Sequence, residues 1–243
     1  MARRDKHIVI TGAAGGIGRA LADHFLDLGW HVTGVDLAAC PPGLARREGF
    51  TGCQADITDE AAMERVMAEA NPLDAVIANA AVTDLDHHQV VDMPYRTWRN
   101  VLRVNVDGAF VTARGAARRM RQIGGGNIVF VTSSLARLSD AQAGDAPYCS
   151  SKAAVEMLCR VLAIELVTHA INVNTLFPSV MVDTGFFTHW DAADRDKLAP
   201  ASLLNETAAF LAALPAGAAT GRSLDQQLWD TDPAYRATWK ERR

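Results

Sequence analysis

Short, almost wholly apolar runs alternate along the chain with longer stretches in which apolar residues recur every three or four positions. The short runs are His7–Thr11, His31–Asp36, Gly52–Asp56, Leu73–Asn79, Asn127–Ser133 and Ile171–Phe177. They lack the strict in–out alternation of a sheet with one wet face and predict parallel strands covered on both sides. Between them, Ile17, Leu21, Phe25 and Leu28 share one helical face, and Gly29 supplies the stop. Leu102, Val106, Ala109, Ala113 and Ala117 mark a second helix. Val155, Cys159, Leu162 and Leu166 mark a third, with Pro147 in its first turn, and Ser202 to Leu214 forms a last one before Pro215. Strand–helix alternation with right-handed crossovers predicts an α/β, doubly wound parallel sheet of about seven strands with helices on both faces. No repeat or linker interrupts the pattern, so residues 1–243 are expected to form a single domain.

Composition narrows the class. With 49% hydrophobic and 21% charged residues, the chain can bury a large core, which excludes disorder. Twenty-four Lys and Arg against 28 Asp and Glu leave a net charge of −4, so no global footprint for nucleic acid exists. Arg114, Arg118, Arg119 and Arg121 cluster at the end of the second helix, where they complement its dipole. No stretch approaches the ~18 apolar residues of a membrane helix. Residues Met1 to Lys6 are followed by no apolar signal-peptide core. The four cysteines lack metal-site spacing, which suits a reduced, cytoplasmic setting. His87 and His88 have no third ligand at useful spacing, so no metal is expected.

Thr11-Gly12-Ala13-Ala14-Gly15-Gly16-Ile17-Gly18 lies directly between the first strand and its helix. Gly12 permits the tight turn, Gly16 admits a pyrophosphate to the backbone, and Gly18 lets the helix approach the sheet. The phosphates then meet unpaired N–H groups at a positive helix end. The second strand ends in Asp36, whose carboxylate can accept from both adenosine ribose hydroxyls and repels a 2′-phosphate. Ala13, Ala14 and Leu37 provide no cation for such a phosphate, so NAD is favoured over NADP. Farther on, Tyr148 and Lys152 stand four residues apart at the start of a helix and share one face. An ammonium beside a phenol, helped by an oxidised nicotinamide, favours phenolate; a fall of ~3 pKa units takes about 4 kcal/mol. Ser133 and Ser134 end a strand just upstream.

These elements, in this order, resemble the short-chain dehydrogenase/reductase family in its compact single-domain branch, from about His7 to Leu224. The match includes the loop TGAAGGIG and Asp56-Ile57 after the third strand. It continues through Ala78-Asn79-Ala80-Ala81 after the fourth, Asn105 within a helix, and the set Ser134, Tyr148 and Lys152. The resemblance implies a Rossmann-type fold and an NAD-dependent oxidoreductase interconverting a secondary alcohol and its ketone. It makes Tyr148 the general acid/base, Ser134 the group orienting the substrate oxygen, and Lys152 the residue that lowers the tyrosine pKa and holds the nicotinamide ribose. Asn105 is expected to hold a water leading from Lys152 to solvent. Cofactor contacts are expected from Gly12, Gly15, Gly16, Ile17, Gly18, Asp36, Leu37, Asp56, Ile57, Asn79, Ala80, Tyr148, Lys152, Pro178, Val180 and Thr184. Substrate contacts are expected from Ser134, Ala136, Arg137, Tyr148, Ser179 and Phe187.

The chain also departs from the family pattern. Ala81 replaces a glycine, Pro178-Ser179 replaces Pro-Gly, Arg137 replaces a small residue, and Asp225-Gln226-Gln227 replaces Asp-Gly-Gly. Residues 184–200, with Phe186, Phe187, His189 and Trp190, are expected to form a short lid, and residues 226–243 a tail that reaches a neighbouring subunit. The resemblance further implies a homo-oligomer, a tetramer ahead of a dimer, built on the second and third helices, with no nucleic-acid or membrane partner. Two other readings share these residues: an NADP-dependent 3-oxoacyl carrier-protein reductase and a catalytically silent nucleotide-binding regulator.

Overall fold

A computed structural model describes residues 6–187 and 190–239. Seven strands form one all-parallel sheet in the order β3-β2-β1-β4-β5-β6-β7. They are β1 (His7–Thr11), β2 (His31–Asp36), β3 (Phe50–Gln54), β4 (Ala75–Ala78), β5 (Gly126–Val131), β6 (Ile171–Phe177) and β7 (Ser223–Asp225). The helices are α1 (Gly16–Asp27), α2 (Pro42–Ala45), α3 (Glu60–Glu69), α4 (Tyr95–Leu102), α5 (Gly108–Ile123), α6 (Ala146–Leu166), α7 (Ala192–Arg195), α8 (Asn205–Ala212), α9 (Gln226–Thr231) and α10 (Pro233–Thr238). The doubly wound α/β expectation therefore holds.

One face of the sheet buries Val9, Val76 and Phe130 under α3, α5 and α6; the other buries Ile8, Ile10 and Ile77 under α1, α8 and the C-terminal helices. Full burial of a side chain such as Leu21 or Phe25 contributes roughly 1.5–3 kcal/mol, which makes the apolar stripe of α1 its main source of stability. The strand order reverses between β1 and β4, so the carboxyl ends of these strands open a crevice there.

Several boundaries differ from the sequence reading for identifiable reasons. β3 starts and stops two residues early because Asp56 leaves the ladder, its carboxylate accepting from the Thr58 N–H (2.9 Å) and hydroxyl (2.8 Å). The second helix starts upstream, as α4, and passes through a π-helical turn at Arg103–Asp107 before continuing as α5. α3 was not anticipated; Asp59 caps it by accepting from the Ala62 N–H. On α6, Met157, Val161 and Ile164 face outward as an exposed apolar row. Among the described residues, no helix is long and apolar enough to cross a membrane.

The described part of the tail, as far as Trp239, packs against the sheet of its own chain. Trp229 and Trp239 enter the core beside α8, and the Arg222 guanidinium lies 4.0 Å from the Trp239 ring centroid while donating to the Thr238 carbonyl. The Tyr235 hydroxyl accepts from the Asp225 N–H (2.9 Å) and donates to the Ser223 carbonyl (3.2 Å), so it bonds the backbone of the last strand. Residues 1–5 and 240–243 and the lid residue His189 lie outside the described residues.

Candidate active site

The glycine loop is shaped by close backbone approach. Gly12 has φ +72° and donates to the Val35 carbonyl (2.8 Å), turning the chain out of β1. A Cβ on Gly18 would stand 2.1 Å from the Gly12 carbonyl oxygen, so Gly18 fixes the distance of α1 from β1 and is absent from the cleft wall. Thr11 and Asn79 lash the ends of β1 and β4 together: the Thr11 hydroxyl accepts from the Asn79 and Ala80 N–H groups, and Asn79 donates to the Thr11 carbonyl. No side chain caps the N-terminus of α1, and nothing lies within 4 Å of a Cβ built on Gly15. Unpaired N–H groups at an open, positive helix end suit a pyrophosphate.

From this loop a cleft of about 680 Å³ runs along the carboxyl ends of the strands. Asp36, Leu37, Asp56 and Ile57 line one end; Gly12, Gly15, Gly16, Ile17, Asn79 and Ala80 line its middle; Pro178, Val180 and Thr184 overhang it, and Tyr148 and Lys152 close the other end. The Asp36 carboxylate accepts from Ala14 (2.9 Å) and Ala38 (3.0 Å) N–H groups, which holds it across the loop entrance. Hydrogen bonds from Thr58 and the nearby Arg103 hold the Asp56 carboxyl below its ordinary range, partly opposed by burial. Arg103, which the sequence reading missed, lines this end but lies 3.2 Å from Asp56. The donor set, the open helix end and the length of the cleft fit a dinucleotide.

At the far end, Lys152 donates its ammonium to the Val131 carbonyl (2.9 Å) and stands 5.5 Å from the Tyr148 ring centroid. The hydroxyl that draws the Tyr148 phenol pKa down is that of Ser133, next to Ser134, the residue expected to orient the substrate oxygen. Ser133 keeps the extended backbone of the strand (φ −154°, ψ 152°), whereas Ser134 begins a 3₁₀ turn, and both line the cleft. Asn105 is bonded to two neighbouring segments. Its Oδ1 accepts from the Val82 N–H, and its amide donates to the Val82 carbonyl (2.9 Å) and Ser151 hydroxyl (3.0 Å). Being 2% exposed, this side chain ties the loop after β4 to α6.

Burial pushes the Tyr148 phenol up to about 12; the Ser133 hydrogen bond draws it down, and Asp145 and Cys149 push it further up. Burial pushes Lys152 down to about 8, against the opposing pull of Glu156. The protein alone therefore shifts each group toward its neutral form, opposite to the phenol shift expected from the Tyr–Lys spacing, because burial penalises the charged form of both. A lysine with a depressed folded pKa weakens the fold while protonated, and the penalty fades as pH rises from about 8 toward 10.5. Relative to Lys152→Met, wild-type stability should climb through that window by up to about 3 kcal/mol. Parallel melting curves across the window would remove this assignment.

The lid carries three aromatic rings into the cleft. Phe186 packs edge-on against Tyr148 (5.9 Å between centroids), and Phe187 against Trp190 (4.8 Å). Its base is closed by a Val182–Ala199 bridge and a two-oxygen Arg195–Asp183 ion pair. Ser179 and Phe187 line the cleft as expected, but Ala136 and Arg137 do not. The Arg137 guanidinium instead lies 4.3 Å from the Phe177 ring centroid and 3.7 Å from Asp225. Asp225 is buried, accepts from the Ser179 hydroxyl (2.8 Å) and caps α9, so three departures noted in the sequence meet in one cluster. The lining also contains Leu85, His87, Gln142, Asp145 and Met181. Asp84 and Asp86 do approach His88, with ligand atoms within 4.8 Å of one another. The Asp84 carboxylate already accepts from the His88 and Asp86 N–H groups and pairs with His88 Nδ1, which accounts for the cluster as a turn.

Residues 6–195 match the family described as short chain dehydrogenase. The chain is 33% identical over 235 residues to an NAD-dependent glycerol dehydrogenase of Listeria innocua, covering 90% of this chain and 91% of that protein. It is 30% identical over 203 residues to NADPH-dependent aldehyde reductase 2, chloroplastic, of Arabidopsis thaliana, covering 74% of each. A gluconate 5-dehydrogenase from Burkholderia cenocepacia in complex with NADP and tartrate superposes with a TM-score of 0.80 at 26% identity, covering 92% of this chain and 94% of that one. The seven-stranded parallel sheet, the glycine loop at its switch point and these similarities lead to one conclusion: the chain belongs to the short-chain dehydrogenase family of oxidoreductases.

Proposed function

We propose that this oxidoreductase is NAD-dependent and interconverts a secondary alcohol with its ketone. The observation that carries this reading is the shared cleft, with an open helix terminus at its middle and Tyr148, Lys152 and Ser133 at one end. Relatives named for NAD and for NADP both exist, so the choice rests on Asp36. Its carboxylate would accept from ribose hydroxyls and repel a 2′-phosphate, and the cation at that end, Arg103, already faces Asp56. The same argument disfavours an NADP-dependent 3-oxoacyl carrier-protein reductase, and the assembled tyrosine, lysine and serine disfavour a silent regulator.

When bound, the nicotinamide supplies the hydride acceptor. Tyr148, as phenolate, takes the proton of the substrate hydroxyl, and in the reverse direction returns it. Ser133 donates to the substrate oxygen as negative charge develops there. Lys152 brings an ammonium beside the phenol, so that with an oxidised cofactor two cations favour the phenolate that the protein alone disfavours. Phe186, Phe187 and Trp190 cover the reacting end and exclude water.

The test is cofactor reduction across secondary alcohols and polyols with NAD and NADP in parallel. NAD-linked turnover at least tenfold more efficient than NADP-linked turnover is expected; an equal or reversed preference would overturn the Asp36 argument. Subunits are proposed to pair through the exposed Met157–Val161–Ile164 row, and a monomer in sedimentation would remove that part of the reading.

A further inference from the structure

We propose that His87 and Asp145 form the substrate-recognition couple of this cleft, binding a hydroxyl on the carbon next to the reacting carbinol. Vicinal diols and polyols are then taken ahead of monohydric alcohols and 2-hydroxy acids. This rests on the dehydrogenase reading above and extends it to the substrate.

Asp145 occupies the N-cap position of α6, three residues before Tyr148. An aspartate there ordinarily accepts from the first free N–H groups of the helix. Here the side chain caps nothing. Although the residue is only 9% exposed, its carboxylate turns into the cleft and meets His87 Nδ1 through Oδ1 at 3.1 Å. The second oxygen, Oδ2, has no hydrogen bond among the described residues. On the wall of the cleft, this oxygen keeps lone pairs open to a hydroxyl hydrogen of a ligand.

The backbone is built to hold the pair. His87 has φ +49°, a left-handed conformation that non-glycine residues rarely adopt and that persists where the surroundings impose it. Gly144, at φ +88°, passes so close beneath it that a Cβ would come within 2.8 Å of the His87 carbonyl oxygen. The loop after β4 and the start of α6 are thereby pressed together at the substrate end.

Chemistry then selects the ligand. The acceptor carries negative charge, so it takes a hydroxyl hydrogen and repels a carboxylate. Among the described residues no lysine or arginine bonds it: Lys152 donates to the Val131 carbonyl, and Arg137 lies over Phe177. Asp145 and Tyr148 line the same end of the cleft, and the carboxylate stands close enough to the phenol to push its pKa up, so one small substrate can reach both with neighbouring hydroxyls.

Three probes that differ at one substituent test this: propane-1,2-diol, propan-2-ol and lactate. They are assayed by NAD reduction with wild type, Asp145→Asn and His87→Asn, the last chosen because asparagine accepts left-handed backbone. Wild type should prefer the diol to propan-2-ol by at least about tenfold in kcat/KM and use lactate least, since a site built to bond a hydroxyl strongly rejects an analogue lacking it. Asp145→Asn should cut the diol preference about tenfold and narrow the gap to lactate, and His87→Asn should act in the same direction. Thermal melting identifies any variant that fails to fold; the wild-type ranking and the other variant then decide. Wild type favouring propan-2-ol or lactate, or a diol preference unchanged within twofold in folded variants, overturns the proposal. No turnover of any probe or of other alcohols removes the dehydrogenase reading itself.

Discussion

Tyr148→Phe should lower turnover by roughly 10³-fold while the affinity for NADH stays within a few-fold of wild type. The change deletes one oxygen and keeps the ring, so the edge contact with Phe186 at 5.9 Å and the place of Lys152 beside the ring survive. What disappears is the group proposed to exchange a proton with the substrate oxygen, the one whose pKa the Ser133 hydroxyl draws down. The two adjacent serines sharpen the test. Ser133→Ala should cost about 10²-fold, as removal of one donor to a developing oxyanion does, whereas Ser134→Ala should cost no more than a few-fold. Single-turnover rates and NADH fluorescence titration separate chemistry from binding. A Tyr148→Phe enzyme retaining a tenth of wild-type turnover would show that the proton goes elsewhere.

Gly18→Ala is the second large effect. The new methyl would lie 2.1 Å from the Gly12 carbonyl oxygen and 2.7 Å from Asn79 Nδ2, in a place set by backbone. Relief requires α1 to move away from β1, which disturbs the packing of Leu21 and Phe25 and shifts the loop on which the phosphates would rest. Overpacking of this kind costs about 1–3 kcal/mol, and cofactor affinity should fall by more than tenfold. Gly15→Ala separates the two consequences. That residue has extended backbone (φ −158°) and open space around its Cβ, so its methyl should spare the melting temperature yet stand where a ligand approaches the helix end. Equal melting temperatures for Gly18→Ala and wild type would contradict the packing argument.

The parts legible in the sequence were those written in local pattern. β1, β2 and β6 matched to the residue because their ends carry Thr11, Asp36 and Phe177 just where burial stops. The glycine loop and Asp36 were legible because strand–turn–helix order fixes where a dinucleotide would lie. Ser133 and Ser134 could not be told apart, since the choice depends on where strand gives way to a 3₁₀ turn, and that depends on the loop beyond. Arg137 was misassigned because its partners, Phe177 and Asp225, come from strands distant in sequence. Asn105 was found, but the π-helical turn around it carries no composition signal. The pairing of His87 with Asp145 was not legible because a positive φ and an unused N-cap are properties of assembled backbone.

The phenol of Tyr235 gives the sheet a direction of growth. On the β7 side, an incoming strand would have to displace a hydroxyl that already satisfies the Ser223 carbonyl and the Asp225 N–H. On the β3 side, Phe50–Gln54 is a flat, largely exposed edge with no such stopper among the described residues, and unpaired edges template further pairing. Heat or crowding should therefore nucleate association at one rim only, next to the Cys53 thiol, which makes that rim the place to add a charge if the protein is to be kept soluble.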